Sequence, residues 1–253
     1  MMDDSETESG SGAEQVSPAE PQTAIAPETL TEPAARRPLK TRQWPFFQWL
    51  AATLAKSDVT PNSISVASIF ASVAAGCCLA ATAHVPDGIP RRLFWFASAL
   101  CIQLRLIANL LDGMVAVEGG KASAVGDLYN EVPDRLSDPA ILVGAGFAVG
   151  GCPILGLTAS LVAVFVAYVR AIGASVGVGQ VFLGPFAKPQ RMALMTGTCL
   201  ACAFLPSQFQ PIHNHTGIGL VGVSLAVIIV GGVVTSIRRL RVIAARMRRR
   251  AKQ

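Results

Sequence analysis

The sequence predicts an all-α integral membrane protein with six transmembrane helices preceded by an interfacial amphipathic helix. Three observations carry that prediction. Charge is scarce: of 253 residues, 51% are hydrophobic and only 15% charged, against about 25% charged in an ordinary soluble domain. Six apolar stretches approach the roughly 20 residues that cross a hydrocarbon core; they fall at about 61–83, 92–116, 128–149, 153–175, 190–206 and 216–237. The charges that remain are segregated, acids at the start of the chain and arginines at its end.

Residues 1–38 hold Asp3, Asp4, Glu6, Glu8, Glu14, Glu20, Glu28 and Glu32 among Ser, Pro, Thr and Ala. Such a segment buries too little apolar surface to offset its chain entropy, so a disordered acidic tail is expected. It lacks the basic start and apolar run of a signal peptide. Residues 39–58 include Trp44, Phe46, Phe47, Trp49, Leu50 and Leu54 between Arg42 and Lys56. Aromatic and basic residues in that mixture predict a helix lying in the membrane interface. Residues 59–238 hold the six spans, and residues 239–253 read as a basic cytoplasmic tail: Arg239, Arg241, Arg246, Arg248, Arg249, Arg250 and Lys252. A basic run directly after an apolar helix reads as an anchor against anionic lipid rather than a nucleic-acid arm.

An even number of spans puts both termini on one side. Arg36, Arg37, Lys40, Arg42, Lys56, Lys121 and Lys188 join the basic end on the cytoplasmic side, and only Arg91 and Arg92 fall on the other. The expected placement is therefore the plasma (inner) membrane, with both termini cytoplasmic. The six cysteines lie in apolar surroundings, and Cys199-x-x-Cys202 reads as small residues packed between helices. His84, His213 and His215 fall in outward loops.

The chemistry is concentrated between Asn109 and Asp138. Asn109, Asp112 and Ala116 share one helical face at i, i+3 and i+7, and Gly126, Asn130, Asp134 and Asp138 recur every four residues on the next helix. A short loop makes the two helices antiparallel neighbours, so their stripes can face each other. Ionisable groups at membrane depth usually line a cavity or a site. Asp and Asn oxygens suit a hard cation such as Mg²⁺, Mn²⁺ or Ca²⁺, and such a cation can neutralise and orient a diphosphate. Gly113, Ala116 and Gly126 leave room beside the backbone. The plainer account is a polar hairpin whose acids pair with Arg105 and Arg135, although it leaves those small residues unexplained.

The stretch resembles the signature of the CDP-alcohol phosphatidyltransferase family, D-x2-D-G-x2-A-R-x8-G-x3-D-x3-D. The spacing fits without a gap at Asn109, Asp112, Gly113, Ala116, Val117, Gly126, Asn130 and Asp134. Thr60-Pro61-Asn62 is similar to the T-P-N that opens the first helix in many members, and Tyr168-Val-Arg170-Ala171 to a Y-x-R-A segment of members using phosphorylated acceptors. The resemblance covers about residues 40–240. It implies a homodimer that moves a phosphatidyl or related substituted phosphate group from a CDP-linked lipid such as CDP-diacylglycerol onto an alcohol, releasing CMP, in phospholipid biosynthesis. It also implies Mg²⁺ or Mn²⁺ held by Asn109, Asp112, Asn130 and Asp134. Asp134 would be the general base, and Gly113, Ala116 and Gly126 would lie against the nucleotide. Arg170, Lys188 and Arg191 gather at the cytoplasmic end of the fourth and fifth spans. Three cations there suit a phosphate on the acceptor, or anchor the helices at the interface.

The sequence departs from the signature at three places. Asn109 and Asn130 stand where it has acids, and Val117 where it has Arg. Glu118, Asp127 and Glu131 are near in sequence but point about 100° or more off the stripes. Pro133 precedes Asp134 inside a helix. These departures keep a second reading open, a catalytically impaired relative that binds CDP-lipid or a partner enzyme. An ion path through the bilayer is disfavoured because the acids gather at one end.

Overall fold

The computed structural model describes residues 44–120, 125–210 and 212–252, apart from the side chains of Glu118, Asp127, Asn130 and Ser207. The acidic tail and Arg36, Arg37, Lys40, Arg42 and Lys121 lie outside them. Within the described residues the fold is all-helical: α1 (Pro45–Ala55), α2 (Pro61–Ala81), α3 (Ile89–Glu118), α4 (Gly126–Gly146), α5 (Pro153–Ser175), α6 (Lys188–Phe204) and α7 (Leu220–Arg250), with a 3-10 turn at Ser207–Phe209. Helices α2, α3, α5 and α7 are long and apolar enough to cross a membrane. The other two fall short for separate reasons. Helix α4 carries the polar stripe, and α6 has 17 residues, about 25 Å at 1.5 Å per residue.

The start of α2 follows from its sequence. Thr60 is the N-cap, its hydroxyl accepting from the Ser63 N–H at 3.2 Å, and Pro61 takes the first helical position, where a missing N–H costs nothing. Helix α2 then inverts the soluble pattern. Ser65, Ser68, Ser72 and Gly76 are buried, whereas Phe70 and Val73 are exposed. The hydroxyls return to carbonyls of the preceding turn, Ser68 to Ser65 at 2.6 Å and Ser72 to Ser68 at 2.8 Å. Small buried residues let α2 pack closely on α3 and α4, the contacts that dominate the fold. Gly76 and Gly144 touch backbone to backbone, and a Cβ on either would collide with the other helix.

Helix α1 lays Phe47, Leu50, Ala51 and Leu54 on Leu110, Leu111, Met114 and Val115 of α3, and leaves Trp44, Phe46 and Trp49 exposed. It therefore braces the end of α3 that bears the first polar stripe.

The last helix does not stop near residue 237. It continues to Arg250, with Arg239 and Ile243 buried. Arg239 donates to the Leu183 carbonyl at 2.8 Å and the Val166 carbonyl at 3.0 Å, Thr235 accepts from the Phe186 N–H at 3.1 Å, and Ile243 packs on Val169, Val178 and Val181. These contacts pin the segment between α5 and α6, and so fix where α6 begins.

Candidate active site

Helices α3 and α4 bring their polar stripes together, as the spacing predicts, and the beginning of α6 closes over them. Asp134 is the hub. Its Oδ1 accepts from Lys188 Nζ at 2.5 Å, Asn109 Nδ2 at 2.6 Å and Arg105 Nη2 at 3.3 Å. One turn on, Asp138 accepts from Arg105 at 2.6 Å and from Arg191 at 2.6 Å. Arg105 is fully buried and spans the two carboxylates. The plainer account of the hairpin is thus half realised. Arg105 pairs with the stripe acids, but Arg135 pairs instead with Glu131.

Asp112 stands apart. It is buried, and its Oδ2 accepts from the Ser65 hydroxyl of α2 at 2.6 Å while Oδ1 accepts from the Gly113 N–H at 2.5 Å. It lies within electrostatic reach of Asp134 and Lys188.

Arg170 of α5 holds both oxygens of Glu131, at 2.5 and 2.6 Å. Glu131 is thereby engaged by two arginines and does not restore the charge missing from the stripes. Helix α4 runs unbroken through Pro133 and Pro139. Pro133 is buried, and Asp134 keeps its place on the stripe.

A cavity of about 230 Å³ opens on this network. Asn109, Asp134, Arg170, Lys188 and Arg191 all line it. The three cations chosen from sequence do converge, but each already has a carboxylate partner: Glu131, Asp134 and Asp138 respectively. Ala116 and Gly113 lie beyond Asp112 on α3, and Gly126 opens α4. Asn130 is within α4, but its side chain lies outside the described residues.

Two participants were not singled out by sequence reasoning. Ser65 belongs to a Ser65, Ser68, Ser72 series at i, i+3 and i+7, the visible signal of an inward polar face on an apolar helix. Arg239 also lines the cavity; its neighbours Thr235 and Ile243, at i−4 and i+4, carried the hint that it faces inward.

Among the described residues no three His, Cys, Asp or Glu side chains cluster. The Oδ1 of Asn109, however, is buried and has no hydrogen-bond partner. A bare carbonyl oxygen three residues from a buried carboxylate fits a hard cation.

No family model matches the chain. It is 25% identical over 157 residues to the inner membrane protein YnbA of Escherichia coli (strain K12), covering 62% of this chain and 75% of that protein. It is 24% identical over 171 residues to phosphatidylinositol phosphate synthase of Mycobacteroides abscessus, covering 65% of this chain and 72% of that one. The fold matches the crystal structure of Mycobacterium tuberculosis phosphatidylinositol phosphate synthase with CDP-DAG bound, with a TM-score of 0.60 and 20% identity over 78% of this chain and 92% of the other. The structure of the same synthase with manganese and citrate matches with a TM-score of 0.60, over 78% and 88% of the two chains. Four helices long and apolar enough to cross a membrane and the similarity to an inner membrane protein make this a multi-pass membrane protein; its signature on α3 and α4 resembles that of the CDP-alcohol phosphatidyltransferase family, and its fold is that of phosphatidylinositol phosphate synthase.

Proposed function

We propose that this protein is a membrane-embedded transferase of substituted phosphate groups. It would move a phosphatidyl or related group from a CDP-linked lipid, CDP-diacylglycerol or a similar donor, to an alcohol, releasing CMP, in phospholipid biosynthesis. The observation that carries the reading is Asp134, fixed by three donors at the wall of a cavity on the motif helices.

In this reading the acceptor oxygen bonds to the lipid-side phosphorus, the bond from that phosphorus to the CMP oxygen breaks, and CMP leaves. The hydroxyl proton passes to Asp134. All three donors converge on Oδ1, which leaves Oδ2 as the oxygen to take the proton. Asp112, Asn109, Asn130 and Asp134 are the residues to hold Mg²⁺ or Mn²⁺, which supplies charge neutralisation on the diphosphate. Gly113, Ala116 and Gly126 are the positions for the nucleotide. Arg170, Lys188 and Arg191 face the cavity as the acceptor side, and their charge favours a phosphorylated alcohol.

The same reading makes α4 and α6 the third and fifth of six spans, with α1 in the interface, exposing Trp44, Phe46 and Trp49 to it. Both termini are cytoplasmic in the plasma (inner) membrane, and the assembly is a homodimer. The alternative, a relative that binds CDP-lipid or a partner enzyme without turnover, is favoured by one observation: Asn109 and Asn130 remove two carboxylates from the motif.

Purified protein in detergent, given CDP-diacylglycerol, Mg²⁺ or Mn²⁺ and a panel of free and phosphorylated alcohols, separates the two. Acceptor-dependent CMP release is expected. Nucleotide binding without CMP release under either metal supports the non-catalytic reading instead.

A further inference from the structure

The cations of the site gather on one side. Arg105, Lys188 and Arg191 pair with the two carboxylates of Asp134 and Asp138, while the third carboxylate, Asp112, forms no ion pair among the described residues. Arg105 is fully buried, with Nε and Nη1 unpartnered, so its charge is not dissipated by solvent. A divalent ion placed against Asp134 would sit beside both Arg105 and Lys188. Asp112 differs, because the Ser65 hydroxyl and the Gly113 N–H that donate to it are both neutral.

Asn109 lies between the two environments. Its Nδ2 donates to Asp134 at 2.6 Å, and its buried Oδ1 has no partner. The hydrogen bond sets this orientation, since the flipped amide would press a carbonyl oxygen against a carboxylate oxygen. An aspartate at this position would make the same unfavourable contact. The amide can therefore do what a carboxylate cannot: donate to Asp134 on one side and offer a ligand oxygen on the other.

We propose that the centre takes one divalent ion rather than two. Of the four positions named above, Asp112 and the Asn109 Oδ1 of α3 hold it; on the α4 side Arg105 and Lys188 stand as fixed cations that keep Asp134 from serving as a ligand. The inference rests on the reading that the site binds a CDP-linked donor. Asn109 is then a bridge between the metal side and the cation side.

The test counts Mn²⁺ by electron paramagnetic resonance on the full-length protein in detergent, with CDP as the nucleotide probe. CMP release is measured separately on the same preparation. One Mn²⁺ per chain is expected for the wild type. Asn109→Asp combined with Asn130→Asp is expected to take two. Lys188→Met removes a like charge, so it should bind its ion about tenfold more tightly, the opposite of losing a ligand. Two ions on the wild type, or none at saturating Mn²⁺ and CDP, overturn the proposal without any variant. Unchanged or weaker binding in Lys188→Met overturns the role given to that cation. One bound ion with no CMP release would refute turnover while leaving the single-ion centre standing.

Discussion

Asp112 on α3 and Asp134 on α4 are both motif carboxylates, yet opposite kinds of donor hold them. Asp112 is buried against the Ser65 hydroxyl and the Gly113 amide, both neutral. Asp134 is gripped by Lys188, Arg105 and the Asn109 amide. A carboxylate held by neutral donors keeps its negative charge available to a cation. One held by cations has its charge largely answered, and what it retains is a fixed position and a basic oxygen. The same side chain at matching places on facing helices is thus suited to two tasks, and its neighbours on α2 and α6 decide which.

The contrast can be broken at four places, in falling order of effect. Asp134→Asn keeps the shape and removes the base. CMP release should drop about 10²–10⁴-fold, the usual range for a lost general base, with the melting temperature near that of the wild type. An active Asp134→Asn enzyme would remove Asp134 from the chemistry. Arg105→Met leaves Asp138 with Arg191 alone and weakens the hold on Asp134. Breaking a buried charge pair costs about 3–5 kcal/mol, to be read from denaturant unfolding in detergent; wild-type stability would show that Arg105 does not bind the stripes together. Gly144→Val pushes α4 off Gly76 of α2, and overpacking of this kind costs about 1–3 kcal/mol. Its thermal midpoint should fall even though it touches no site residue. Ser65→Ala removes one hydrogen bond to Asp112, about 1 kcal/mol, and should alter the Mn²⁺ requirement for CMP release only severalfold. A loss as deep as that of Asp134→Asn would give Ser65 a larger part than positioning.

Much of this was legible in the residues. Thr60-Pro61 announces the start of α2 because a hydroxyl cap and a proline at the first position are local chemistry. The facing stripes of α3 and α4 were readable because helical periodicity puts Asn109 beside Asp112 and Asn130 beside Asp134 and Asp138. What the pattern hid depends on tertiary neighbours. No spacing rule tells that Lys188 reaches Asp134 across 54 positions of the chain, or that Arg191 is committed to Asp138 rather than free in the cavity mouth. The extent of α7 was hidden by composition. An arginine-rich end reads as a solvated tail, yet Thr235, Arg239 and Ile243 recur every four residues and pack on the segment before α6. Helix α4 is 21 residues long but too polar to read as a span, because Glu131, Asp134 and Asp138 lie along it; the partners that answer them, Arg170, Lys188, Arg105 and Arg191, come from other helices.

The most direct measurement of the division between the two carboxylates is the Mn²⁺ dependence of CMP release, compared for Asp112→Asn and Asp134→Asn in one detergent preparation. Asp112→Asn should shift the curve to higher Mn²⁺ and recover rate as metal is added. Asp134→Asn should lower the rate at every Mn²⁺ concentration without moving the midpoint. If added Mn²⁺ rescues Asp134→Asn and not Asp112→Asn, the roles assigned to the two residues are reversed and the account is wrong.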